Sequence, residues 1–219
     1  MMKSLENSNS FSNKATRLVA SVFGILVGLA GIEHGIFEML QGDVPTNDIM
    51  INAIGDAYKF WVGASERALT IIPNFLLTGV LAIIFGILVI IWAGLFIQRK
   101  YGATILLILT LTLFLVGGGF APIFLSIISV AAATRIDKPL AWWQAHLSQG
   151  LRRTLAKLWP WMLVLFVIVF WSTVGVQIFG LPADVSLITG AVGILSIVMV
   201  TLIPIAVIVG FAYDTQNPR

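Results

Sequence analysis

Four stretches of this chain carry no charged residue and are each long enough to cross a bilayer: 68–97, 101–134, 158–183 and 185–213. An α-helix rises about 1.5 Å per residue, so about 20 residues cover the roughly 30 Å of hydrocarbon in a membrane. A soluble domain of 219 residues has no core large enough for all four runs. With 58% hydrophobic and 11% charged residues, the bilayer has to be the solvent. The expected fold class is an all-α polytopic transmembrane helix bundle. Cysteine is absent, which excludes a disulfide framework, a thiolate metal site and a thiol nucleophile. The 13 Lys and Arg residues mostly flank the apolar runs, which fits lipid contact and membrane orientation and not nucleic-acid binding.

A further apolar run, 18–40, is interrupted by Glu33, His34 and Glu38. A charge in hydrocarbon costs about 2.5–3.5 kcal/mol even on lenient insertion scales, so these groups need partners, water or a shallow depth. Lys14, Arg17 and the apolar start at Leu18, with Gly28 and Ala30 behind, imitate a cleavable leader. The apolar pattern continues through Ile36, Phe37, Met39 and Leu40, which fits an uncleaved first span better.

The basic residues orient the chain. Lys3, Lys14 and Arg17 precede the first span, and Arg99 and Lys100 follow the second, so both segments are expected inside. The loop between them, 41–67, carries Asp43, Asp48, Asp56 and Glu66 against Lys59 and Arg67, and is expected outside. A single crossing by 101–134 would then put Arg135, Lys138, Arg152, Arg153 and Lys157 outside, against the positive-inside tendency. The run Gly117, Gly118, Gly119, Phe120, Ala121, Pro122 also breaks helix propensity near its middle. A re-entrant hairpin over 103–134 is therefore expected, turning at 117–122; one long kinked helix is the alternative. The hairpin leaves every basic residue except Lys59 and Arg67 on the cytoplasmic side.

The remaining divisions follow. Residues 1–17 form a cytoplasmic tail, 18–40 the first span, 68–97 the second, and 159–180 and 185–212 the last two, in a single membrane domain with both termini inside. Pro160 suits a first helical turn, Gln177 could bond across to another helix, Pro204 predicts a kink, and the tail from Asp214 looks solvated. Between 139 and 158, Leu140, Trp143, Leu147, Leu151, Leu155 and Leu158 recur at helical spacing opposite Arg152, Arg153 and Lys157. That pattern predicts an amphipathic helix lying in the headgroup layer, with Trp142 and Trp143 as anchors and the basic residues against anionic lipid.

Counting from Arg17 at about 1.5 Å per residue places His34 about 26 Å up and Glu38 about 32 Å up, near the outer surface. Gly117, counted from Gly102, reaches about 22 Å, so the glycine turn and the acidic group can meet. Gly24, Gly28, Gly31 and Gly35 share a face of the first span with His34 and Glu38, a face suited to another helix of this chain, a second copy or a membrane partner. The expected polar pocket comprises Glu33, His34, Glu38, Glu66, Arg67, Asn74, Gly117, Gly118, Gly119 and Pro122. Backbone donors at the start of the second half-helix would favour a nearby carboxylate there. No metal and no cofactor are expected, because the only other histidine, His146, belongs to the opposite side and His34 has no second imidazole. No nucleophile elbow, phosphate loop or zincin pattern occurs. The plainest expectation is that His34 and Glu38 simply bond neighbouring helices.

The segments GIEHGIFEMLQG (31–42), ERALTIIPNFLLTG (66–79), VGGGFAP (116–122) and AATRID (132–137) resemble a family of small prokaryotic integral membrane proteins. That resemblance covers about the first two thirds of the chain and implies a multi-pass protein of a prokaryotic cytoplasmic membrane, with no activity attached. Function is expected to be non-enzymatic: moving or sensing a proton, ion or small solute through an outward-opening polar pocket. An intramembrane enzyme acting on a lipid and a scaffold or accessory subunit of a membrane complex are the alternatives.

Overall fold

The computed structural model describes residues 12–217. Lys3 and Arg219 lie outside that range. Helix α1, Lys14–Leu40, is the hub, touching α2, Phe75–Ile91, α3, Gly102–Leu115, α4, Phe120–Ala133, and α7, Val185–Gln216. Its Val19, Phe23, Leu26 and Val27 are buried in one continuous core. The long helix α6, Gln149–Phe179, pairs with α7 and joins the hub where the Phe23 and Phe166 rings lie 4.7 Å apart.

Close approach of α1 and α2 is permitted by two pairs of glycines. A methyl on Gly28 would sit 2.5 Å from the Gly86 carbonyl oxygen, and one on Gly35 would sit 2.6 Å from that of Gly79. Seven residues separate the members on each helix, two turns, so the backbones meet twice along antiparallel axes. Gly31 faces Leu113 of α3 and Gly24 faces Ala93, so this glycine face is filled from within the chain.

Four helices are long and apolar enough to cross a membrane: α1, α2 continued by the π-helical Trp92–Phe96, α6 and α7. Trp161, Ile168, Leu187, Ile194 and Ile197 lie exposed on α6 and α7. In water such a band would be an aggregation surface; in a membrane it is where lipid packs. Helices α3 and α4 have 14 residues each, about 21 Å, which is short of a bilayer.

The chain reverses between α3 and α4. At one end the Asn13 side-chain amide donates to the Arg135 and Lys138 carbonyls, and Trp92 Nε1 donates to the Gly102 carbonyl, so the hairpin's two feet stand beside the start of α1 and the end of α2. Its tip lies at the other end, where Gly117 N donates to Leu69 O and Ile71 N to Leu115 O. Thr78 Oγ1 seals the junction by donating to the Val116 carbonyl at 2.7 Å. The turn is tighter than expected, Val116–Gly119, and Pro122 lies inside α4, in a first turn where a missing N–H costs nothing.

Several expected boundaries differ. The second span starts at Phe75, capped by Asn74, because Arg67–Leu69 forms strand β2 against β1, Met50–Asn52, in an antiparallel pair. Residues 139–158 are not one helix: α5, Ala141–His146, ends at the extended Leu147, and Ser148 caps α6, which runs on through Pro160. The Leu and Trp periodicity spans that break unchanged, so spacing alone could not reveal it. Asp214 is buried, not solvated. Its carboxylate accepts from the Ala15 and Thr16 amides (3.0 and 2.8 Å) and from the Thr16 hydroxyl (2.7 Å), satisfying donors at the start of α1. Helix α7 runs unbroken through Pro204.

Candidate functional site

At the hairpin-tip end, the loop 41–74 folds into a cap that carries Glu66 onto α1. Gln41, just past the end of α1, donates from its amide to the Asn52 and Ala53 carbonyls. Asn52 Oδ1 accepts from the Glu66 amide at 2.9 Å, and Ala53 N donates to the Glu66 carbonyl at 2.8 Å. From the opposite side, Gln177 of α6 donates to the Ser65 carbonyl at 2.7 Å, and its own carbonyl accepts from Trp61 Nε1 at 2.9 Å. Glu66 is thus fixed by the backbone on both sides, and its Oε2 lies 2.6 Å from His34 Nε2.

Glu33 joins this pair: one ligating atom from each of Glu33, His34 and Glu66 falls within 4.8 Å of the others. Glu38, one turn beyond His34 on α1, is completely buried, and neither of its carboxylate oxygens has a hydrogen-bond partner. His34 Nδ1 and Glu33 Oε1 are also unpartnered and shielded. The glycine turn forms the wall. Gly117, at φ +103°, presses on the Glu38 carboxylate, and Gly119, at φ +86°, on the His34 imidazole. Both backbones occupy the left-handed region, and both lack the Cβ that would strike the site.

Glu33, His34, Glu66, Arg67 and Pro122 line one end of a cavity of about 770 Å³ between α1, α4, α6 and α7. The rest of its wall is apolar, including Phe120, Phe124, Phe166, Phe170, Met199 and Val200. Arg67 is exposed and makes no ion pair with Glu66. A second cavity, about 740 Å³, lies at the basic end among Lys14, Arg17, Trp159 and Tyr213; the acid there, Asp214, is already engaged in capping α1. The first cavity, by contrast, is lined by Glu33, whose shielded Oε1 has no hydrogen-bond partner among the described residues.

The structure brings together Glu33, His34, Glu66, Gly117 and Gly119, with Glu38 behind them. Asn74 stands apart, accepting from Leu77 N at 3.0 Å and donating to Asp43 at 2.7 Å, while Gly118 packs on Leu113. The α4 donors do not hold Glu38, contrary to the expectation for a helix N-terminus, since its oxygens accept no bond. Neither do neighbouring helices: His34 is held by a loop residue. Asn52, Ser65 and Gln177 are the positioning residues that spacing did not single out for this role. Among the lipid-facing candidates, Trp142 is exposed and stacked on His146, Trp143 packs on Phe211, and the exposed Arg153 and Lys157 line a cavity with Trp159 and Tyr213. Arg152 keeps its Nε shielded without a partner.

Compared with protein-family models, curated proteins and solved structures, the chain finds no match in any of the three. Roles for its residues rest on geometry alone.

Proposed function

We propose that this chain is an integral membrane protein that receives a cation or small polar solute in the Glu33, His34, Glu66 pocket from the outer side of a prokaryotic cytoplasmic membrane. Sidedness follows from charge. Among the described residues, every Lys and Arg except Lys59 and Arg67 belongs to the end of the bundle opposite the pocket, which by the positive-inside tendency supports a cytoplasmic side for that end. The α3–α4 pair then enters and leaves from the cytoplasmic side as a re-entrant hairpin, its non-helical tip supplied with hydrogen bonds by β2 and Thr78.

The carrying observation is the crowding of buried acids around one histidine. Glu33 and Glu66 converge on His34, and Glu38, fully buried one turn along α1, has no hydrogen-bond partner among the described residues. Buried carboxyl groups are held either as neutral acids or beside a positive group, so an entering cation can exchange for their protons. The apolar wall of the cavity supports a second reading, an acyl chain lying between α4 and α7 with its polar end at the acids, as an enzyme acting on a lipid would need.

Reconstituted liposomes test the first reading. An imposed cation or solute gradient dissipates through the wild type, and Glu38→Gln and His34→Gln each slow it at least about tenfold, as loss of a buried, specific contact predicts. Variants that pass the same flux as wild type would refute the pocket's role. No flux even in the wild type would favour a scaffold or accessory subunit.

A further inference from the structure

We infer that the cation this pocket takes is a divalent first-row transition metal, held by Glu33, His34 and Glu66, with Glu38 as the buried acid behind them. The inference rests on reading the pocket as a cation site and adds the identity of the ion. Its geometric basis is the convergence of one nitrogen and two carboxylate oxygens within 4.8 Å of one another. Donors bound to a single Zn²⁺-sized ion at about 2.0–2.2 Å in tetrahedral geometry lie about 3.3–3.6 Å apart, so the set would close by about 1 Å on binding. The His34–Glu66 contact at 2.6 Å spans two of these donors, and it opens when an ion enters between them.

A second, independent observation points the same way. Glu38 has no exposed surface and no hydrogen-bond partner. It lies on the His34 face of α1, with its carboxylate against Gly117, while Gly119 of the same turn contacts His34 Nε2. A buried carboxyl group without a hydrogen bond stays neutral unless a positive group lies close by, and a bound cation would let it ionise. Arg67, which lines the cavity beside Glu66, is exposed and ion-pairs with none of these acids. A dication bound at the three converging donors would supply such a positive group at short range.

Donor chemistry narrows the ion. One imidazole with carboxylates and no thiolate suits Mn²⁺, Fe²⁺, Co²⁺ or Zn²⁺; Ca²⁺ and Mg²⁺ favour all-oxygen sets, and Cu⁺ favours sulfur. The sequence alone argued against a metal for want of a second histidine. It placed Glu66 in the same pocket, but could not show that Glu66 Oε2 comes within 2.6 Å of His34 Nε2.

The test uses the full-length protein in detergent, stripped with chelator and titrated with Co²⁺ alone, followed by its visible absorption. Wild type is expected to saturate at one equivalent and to release the Co²⁺ to added Zn²⁺. Glu66→Gln and His34→Gln should each weaken binding at least about tenfold, and Asp43→Asn, in the outer loop, should leave it unchanged. X-ray absorption on the Zn²⁺-loaded wild type needs no variant, and should show one imidazole nitrogen among oxygen donors at about 2.0–2.2 Å. Absence of saturable Co²⁺ binding, binding untouched by both substitutions, or a bound Zn²⁺ without imidazole would each overturn the inference. Solute or proton flux through a wild type that binds no Co²⁺ would sink the metal while leaving the transport reading; Co²⁺ bound without any flux would do the reverse.

Discussion

Glu38 is the residue on which the account turns. An acid with no exposed surface and no hydrogen bond destabilises the protein that keeps it, and a function is the physical reason to keep it. Replacing it by a similarly shaped apolar side chain removes the desolvation cost. Glu38→Met is therefore expected to raise stability by about 1–3 kcal/mol, read as a higher unfolding midpoint in detergent, while abolishing flux. A variant less stable than wild type would mean that Glu38 is satisfied in the folded protein. At this scale the sequence was informative about Glu33, His34 and Glu38, because charge in an apolar run is conspicuous. It was silent on the holders of Glu66. Asn52, Ser65 and Gln177 are ordinary polar residues, and their hydrogen bonds reach across more than a hundred positions in the case of Gln177 and Ser65, |i−j| = 112.

At the scale of elements, the tight contact between α1 and α2 sets the position of everything on α1, including the acids. Gly86 belongs to that contact, since a side chain there meets the Gly28 carbonyl oxygen at 2.7 Å. Backbone cannot move aside as a side-chain tip can. Gly86→Val is expected to cost about 1–3 kcal/mol, measured by denaturant or thermal unfolding in detergent, and a neutral result would place the helices further apart than described. The long helices were legible because uncharged runs of that length have few other uses. Two features were hidden for opposite reasons. The α5–α6 break falls within an unbroken apolar periodicity, so the pattern continues where the helix does not. The α1 cap is supplied by Asp214, 198 positions from Thr16, and no local motif announces it.

For the whole molecule, the bundle has two unlike ends. One gathers the basic residues, the feet of the α3–α4 hairpin, the Asp214 cap and the start of α6; the other gathers the cap loop, the hairpin tip and the acids. The charge distribution and the Gly117 to Pro122 segment foretold a reversal, although not the tight turn that delivers it. Which end faces out decides whether the pocket receives its ligand from the exterior. The chain contains no cysteine, so single cysteines can be placed against a silent background. Asp43 lies in the cap loop and Ala145 in α5, at opposite ends. With a membrane-impermeant maleimide on intact cells, Asp43→Cys is expected to label at once and Ala145→Cys only after the membrane is permeabilised. Labelling of Ala145→Cys in intact cells, with Asp43→Cys protected, would contradict an outward-opening acidic pocket.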